Sequence, residues 1–114
     1  MAYGTRATFD AVRELAFGSV GASYTAVGSA LSDHARIVCM NNSTNEDVYI
    51  SVDGTTNNFR LAANSFRLID FSSNKIRDDG LFVSIGTVFY AKRVSGAPTS
   101  GTVWIEVTFA TGGV

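Results

Sequence analysis

The sequence predicts an all-β fold: an antiparallel β-sandwich, jelly-roll-like, with a partly irregular N-terminal segment. From residue 36 onward, apolar and polar residues alternate with period two, the spacing of a strand with one buried face. Gly, Asn, Asp and Ser break the alternation at short intervals, as turns between antiparallel strands do. The 114 residues, 46% of them hydrophobic, supply one core and are too few for two.

The first 34 residues are the least regular. Phe9, Val12, Arg13 and Ala16 follow three-four spacing, which predicts a helical turn or two over residues 9–17, closed by Gly18 and Gly21. Residues 23–31 (SYTAVGSAL) read as a strand around Gly28. The division expected is a segment over residues 1–22, an arm suited to wrapping a neighbouring subunit, and a sandwich over residues 23–114.

Residues 35–40 (ARIVCM) are apolar on both faces in their second half, as in a central or covered strand. Val48, Ile50 and Val52 put three aliphatic side chains on one face, against Tyr49, Ser51 and Asp53 on the other. Val103, Ile105, Val107 and Phe109 repeat this against Trp104, Glu106, Thr108 and Ala110. Residues 65–71 (SFRLIDF), 81–85 (LFVSI) and 87–94 (TVFYAKRV) are further strands, rich in aromatic and β-branched residues. Turns fall at 41–45, 53–58, 62–64, 72–80 and 95–101. Phe59, Phe66, Phe71, Phe82, Phe89, Phe109 and Trp104 are expected in the core, and Tyr49 and Tyr90 at its rim or at an interface.

Charge and composition narrow the function. Nine basic and ten acidic residues are scattered along the chain, with no basic patch for nucleic acid or an anionic membrane. No apolar stretch approaches the roughly 18 residues that span a bilayer, and acidic residues interrupt the start, so a product without a secretion signal is expected. One cysteine, Cys39, excludes an internal disulfide. The sequons beginning at Asn41 and Asn42 then read as turn chemistry.

No catalytic constellation emerges. Ser32, Asp33 and His34 are consecutive, and consecutive residues of an extended chain point apart where a triad must converge. His34 and Cys39 are five apart, on opposite faces of any strand running through both. One His and one Cys cannot form a zinc site, and the loop with Asp53, Asn57 and Asn58 lacks the carboxylates of a calcium site. The acidic pairs Glu46-Asp47 and Asp78-Asp79 read as solvated loop residues. No catalytic, cofactor-binding or metal-binding residue is therefore expected. Asp53, Gly54, Asn74, Gly86 and Gly101 are assigned to turns. Thr55, Thr56, Asn57, Asn58, Arg60 and Arg67 are candidate subunit contacts, the two arginines meeting across a hairpin.

The order of the turn motifs adds a further expectation. The turn Asn42-Ser43-Thr44 is followed by the hairpin start VYISVDG (48–54) and FRLAANSFRLID (59–70). Asn74-Lys75, GTVFYAK (86–92) and PTSGTVWIEV (98–107) complete the series. In this ordered set, spread over residues 17–110, the chain resembles small tailed-bacteriophage virion structural proteins. The resemblance implies a non-enzymatic β-sandwich packing in multiple copies at the head-to-tail neck or collar, or decorating the capsid. Its partners would be other virion proteins (portal or adaptor, tail or major capsid protein) and further copies of itself, without direct contact to nucleic acid or membrane. It would be assembled in the bacterial cytoplasm and located in the virion. The alternative is a receptor- or carbohydrate-binding β-sandwich of the tail, using the loops at 53–58 and 41–45.

Overall fold

The computed structural model describes residues 5–70 and 83–112. Among them are nine strands: β1 (Thr5–Phe9), β2 (Arg13–Ala16), β3 (Thr25–Ala26), β4 (Ala35–Asn42), β5 (Val48–Ser51), β6 (Phe59–Leu61), β7 (Ser65–Asp70), β8 (Tyr90–Arg93) and β9 (Thr102–Gly112). All pairings are antiparallel. They form two sheets packed face to face, a β-sandwich. The larger sheet runs β1-β9-β4-β7 with β2 also on β9, and the smaller runs β3-β8-β5-β6. β1 and β2 pair with successive halves of β9 and act as one interrupted strand. Counted so, eight strands remain and all but the β5–β6 hairpin connect one sheet to the other, an order of the jelly-roll kind.

The core forms where the two alternating patterns face each other. Val38, Met40, Val103, Ile105 and Val107 come from the larger sheet, Val48, Ile50, Leu61 and Ala91 from the smaller, and Val27, Leu31 and Phe89 close one side. Fully burying one such aliphatic or aromatic side chain contributes about 1.5–3 kcal/mol, so this cluster supplies the main driving force.

The N-terminal residues differ from the helical expectation. Arg13 and Leu15 are buried while Glu14 and Ala16 are exposed, a period of two, because the free edge of β9 offers backbone partners to an extended chain. Only a single 3-10 turn, Phe17–Ser19, follows. Residues 1–22 thus contribute β1 and β2 to the larger sheet. Residues 23–31 are a two-residue strand followed by separate backbone bonds, Val27 N–H to Phe89 O and Leu31 N–H to Thr87 O. Arg13, 6% exposed, anchors this stretch. Its Nε donates to Ser29 O at 2.9 Å and its Nη2 to Ala30 O at 3.3 Å. Its Nη1 lies 2.8 Å from Asp10 Oδ2 as an ion pair without hydrogen-bond alignment. Gly28 sits directly on the Arg13 stem, where a Cβ would come within 2.6 Å of Cγ.

The aromatic expectation holds for Phe89 and Phe109, which are buried, and for Phe59, which packs against the cluster. Phe71, Phe82 and Asn74 lie outside the described residues. Phe66 and Trp104 are corrections. Register pairs Met40 with Arg67 and Val38 with Ile69, so β7 turns Arg67 and Ile69 inward and Phe66 and Leu68 outward. Trp104 likewise alternates with buried Val103 and Ile105 and lies half-buried on the outer face. The residues expected to form a strand over 87–94 are extended only at Tyr90–Arg93, and Val83 makes a single bridge to Ala35.

One polar side chain joins the two sheets at a corner. Asn42, the last residue of β4, is 1% exposed. Its Nδ2 donates among Glu46 O at 2.9 Å, Leu61 O at 3.2 Å and Ala62 O at 3.2 Å. Its Oδ1 accepts from the Thr44 N–H at 3.0 Å and the Thr44 hydroxyl at 2.6 Å. The turn Asn42-Ser43-Thr44 is therefore buried turn chemistry, as the sequence suggests. Gly101, at φ +91°, crosses Ser43 so closely that a Cβ would meet Ser43 O at 2.2 Å, and Thr102 N–H donates to Ser43 Oγ at 3.1 Å. Asn42→Ala leaves one or two buried carbonyls unsatisfied at about 1–3 kcal/mol each, so urea unfolding is expected to show a loss of about 2–4 kcal/mol. Asn42→Asp, which cannot donate, is expected to lose a similar amount.

Candidate functional site

The loop DGTTNN closes the β5–β6 hairpin, in which Ile50 pairs with Phe59 and Val48 with Leu61. Asp53 organises it. Its Oδ1 accepts from Thr55 N–H at 2.9 Å, Thr56 N–H at 2.7 Å and Ser51 Oγ at 2.8 Å, and its Oδ2 from Thr56 Oγ1 at 2.7 Å. Ser51 Oγ in turn accepts from Gly54 N–H at 2.9 Å, and Asn58 Oδ1 from Val52 N–H at 3.0 Å. These donors, the Thr56 and Thr55 amides foremost, hold the Asp53 carboxyl far below the usual carboxylate range. Gly54 has φ +83° and lies flat against the Tyr90 ring. The carboxylate of this loop is spent on its own backbone, so the turn assignment of Asp53 and Gly54 holds. Thr55, Thr56, Asn57 and Asn58 are exposed at its tip, with Asn57 Oδ1 accepting from the Tyr24 hydroxyl. Gly86 and Gly101 also take positive φ, +90° and +91°.

The two candidate arginines do not meet. β6 and β7 belong to different sheets, which separates Arg60 from Arg67. Arg60 donates to Asp47 Oδ2 at 2.9 Å, and the Arg67 guanidinium lies 5.7 Å from the Phe59 ring centroid. The short turn between them, with Asn64 at φ +56°, carries the chain from one sheet to the other.

No triad geometry forms at Ser32, Asp33 and His34. The Asp33 carboxylate accepts from the His34 backbone N–H at 2.8 Å, and the His34 imidazole Nδ1 accepts from Ile85 N–H at 2.9 Å. Cys39 lies on the outer face of the larger sheet, accepting from Asn41 Nδ2 at 3.4 Å. Among the described residues no group of three or more His, Cys, Asp or Glu is placed to hold a metal ion.

The surface that stands out is the outer face of the larger sheet, which no element of the described chain covers. Phe9 is 80% exposed, Phe66 67% and Leu68 56%. Ile37, Cys39 and Trp104 lie between them, and a shallow cleft of about 320 Å³ opens beside Phe9, Ile37, Cys39, Glu106 and Thr108. Among the described residues β7 is also an edge strand, paired only with β4, and an edge is the usual template for contact with another chain. Sequence reasoning put Phe66 and Trp104 inside. The signal available was that residues 65–71 are apolar on both parities, so one set had to face out.

The outer face of the smaller sheet is different in character. Lys92, Tyr49 and Arg60 lie side by side in register, and the Lys92 ammonium is 4.7 Å from the Tyr24 ring centroid and 5.9 Å from that of Tyr49. These cation–π contacts leave the charge without a carboxylate partner among the described residues.

Compared with models of known protein families the chain matches none, and no curated protein is similar enough to count as a relative. Three turns meet in space at one end of the sandwich: Thr99 N–H donates to Asn45 Oδ1 at 2.9 Å, Ser43 Oγ to Thr102 O at 2.8 Å, and Asn64 N–H to Thr44 O at 3.2 Å.

Two outcomes are expected of the loop. Asp53 has a lower pKa folded than unfolded, so its stabilisation is present above about pH 4 and is lost as pH falls through the folded value. Urea unfolding of Asp53→Asn should therefore lose less stability on acidification below about pH 4 than the wild type does. Gly54→Val forces a β-branched residue into positive φ against Tyr90 and is expected to cost about 1–3 kcal/mol in thermal or urea unfolding.

Proposed function

We propose that this chain is a non-enzymatic structural protein of a tailed-bacteriophage virion, packing in multiple copies at the head-to-tail neck or collar, or on the capsid surface. The observation that carries the reading is the uncovered apolar face ending in the edge strand β7. Exposed Phe66, Leu68 and Phe9 on a flat sheet are costly in a solitary chain and suit one whose working state is packed against other subunits. The turn-motif resemblance points to the same class of role. The Asp33 carboxylate and the His34 imidazole each accept from a backbone N–H, which supports assembly over hydrolysis. The partners under this reading are other virion proteins, portal or adaptor, tail or major capsid protein, and further copies of the chain.

The sugar- or receptor-binding alternative draws on the exposed tip Thr55 to Asn58. It is weakened because Asp53 and Asn58, the natural acceptors for sugar hydroxyls, are already occupied by backbone donors. The deciding experiment is the composition and electron-microscopy map of purified particles from a host carrying the gene. The chain is expected as repeated density at the neck or on the capsid lattice, in stoichiometric amount. Its absence from purified particles would overturn the reading, and saturable glycan-array binding lost in loop variants would favour the alternative.

A further inference from the structure

The two outer faces of the sandwich carry different charge. Strand parity places Glu14, Glu106 and Asp70 on the outer face of the larger sheet, among Phe9, Trp104 and Leu68, and turns Arg13 and Arg67 to the inner side, while Arg36 lies at the β4 bulge. Glu14 and Glu106 have no ion-pair partner among the described residues. The opposite face presents Lys92, held between Tyr24 and Tyr49, and a shallow depression of about 230 Å³ lined by Tyr49, Lys92 and Arg93. One side is apolar and acidic; the other is aromatic and basic.

This asymmetry decides between two ways of covering the apolar face with a second copy. In a two-fold contact the same face meets itself, and Glu106, central in its sheet between β1–β2 and β4, would approach the like charge of the other copy. In a head-to-tail contact Glu106 and Glu14 approach Lys92, while Phe9, Trp104 and Leu68 meet the Tyr24 and Tyr49 rings. Only the second arrangement pairs charge with opposite charge.

We propose that copies of this chain associate head to tail, the larger-sheet outer face of one copy docking on the smaller-sheet outer face of the next. Such a contact is heterologous. It leaves one free face of each kind at the ends, so it propagates until a ring closes or a stack forms. The inference deepens the multiple-copy packing proposed above and rests on that part of it.

The test is a charge swap on the purified full chain, with mass read by sedimentation over a concentration series and folding checked by circular dichroism. Wild type is expected to associate beyond a dimer and to weaken as salt is raised. Glu106→Lys and Lys92→Glu are each expected to raise the dissociation constant roughly tenfold or more, and the double variant to recover most of the loss. Mixing the two single variants should restore association beyond a dimer, because the two substituted faces complement each other and the two unsubstituted faces complement each other, so alternating copies propagate. Lys92→Gln, which removes the charge without reversing it, is expected to have an intermediate effect. A wild type that stays monomeric throughout, single variants that associate normally, or sensitivity to Glu106→Lys alone would overturn the head-to-tail contact. Particle composition is measured separately, so a failed swap with the chain present in particles would reject this contact and leave the virion role standing.

Discussion

The corner built on Asn42 is the constraint from which the rest of the sandwich is positioned. A jelly-roll order asks the chain to leave one sheet and enter the other at nearly every connection, and each crossing leaves backbone groups without ladder partners. At the end of β4 one buried amide answers several of these at once, receiving the Thr44 amide and hydroxyl and donating to the carbonyls of residues 46, 61 and 62. That ties β4 to the β4–β5 turn and to the β6–β7 crossing, and Gly101 packs onto the same turn from the start of β9. Two strands that pair side by side in the larger sheet, β4 and β9, are thereby held in register at one end. Buried polar groups with all partners made specify a single arrangement, because slipping either strand by a residue would leave them unpaired.

The loop DGTTNN and the outer sheet faces contrast in how polar and apolar groups are disposed. In the loop, polar side chains turn back onto the chain and leave a tip of small residues. On the larger sheet, apolar side chains turn away from the core and leave an uncovered surface. The first is a local solution to reversing a hairpin. The second has no local explanation and is the stronger indication of a partner, since a sheet face that no other described residue covers gains nothing from Phe66 or Leu68.

Parts of this were legible in the residues. The period-two pattern of 103–109 predicted which side chains are buried, and that of 48–52 did so for Val48 and Ile50, whereas the strand ends at Ser51, which is buried, and Val52 in the following turn is 39% exposed. Asp53-Gly54 was readable as a chain reversal because Asp offers local acceptors and Gly tolerates positive φ. Residues 9–17 were not readable, since their three-four spacing extends over barely two turns and the open edge of β9 outweighed it. The fate of residues 65–71 was equally hidden: both parities are apolar, and only pairing Met40 with Arg67 decides which set is exposed.

By itself the sequence determined the class of fold, the positions of several turns and the composition of the core along its clearly alternating strands, all of which depend on neighbours a few residues apart. Tertiary structure alone decided that Asn42 and Arg13 are buried anchors, that Arg60 and Arg67 belong to different sheets, and that one outer face is apolar and acidic while the other is aromatic and basic. The reason is range. Alternation and turn chemistry are local, whereas strand order and register bring together residues dozens of positions apart, and the side of a sheet on which a residue lies has consequences only once its neighbours across the sheet are known.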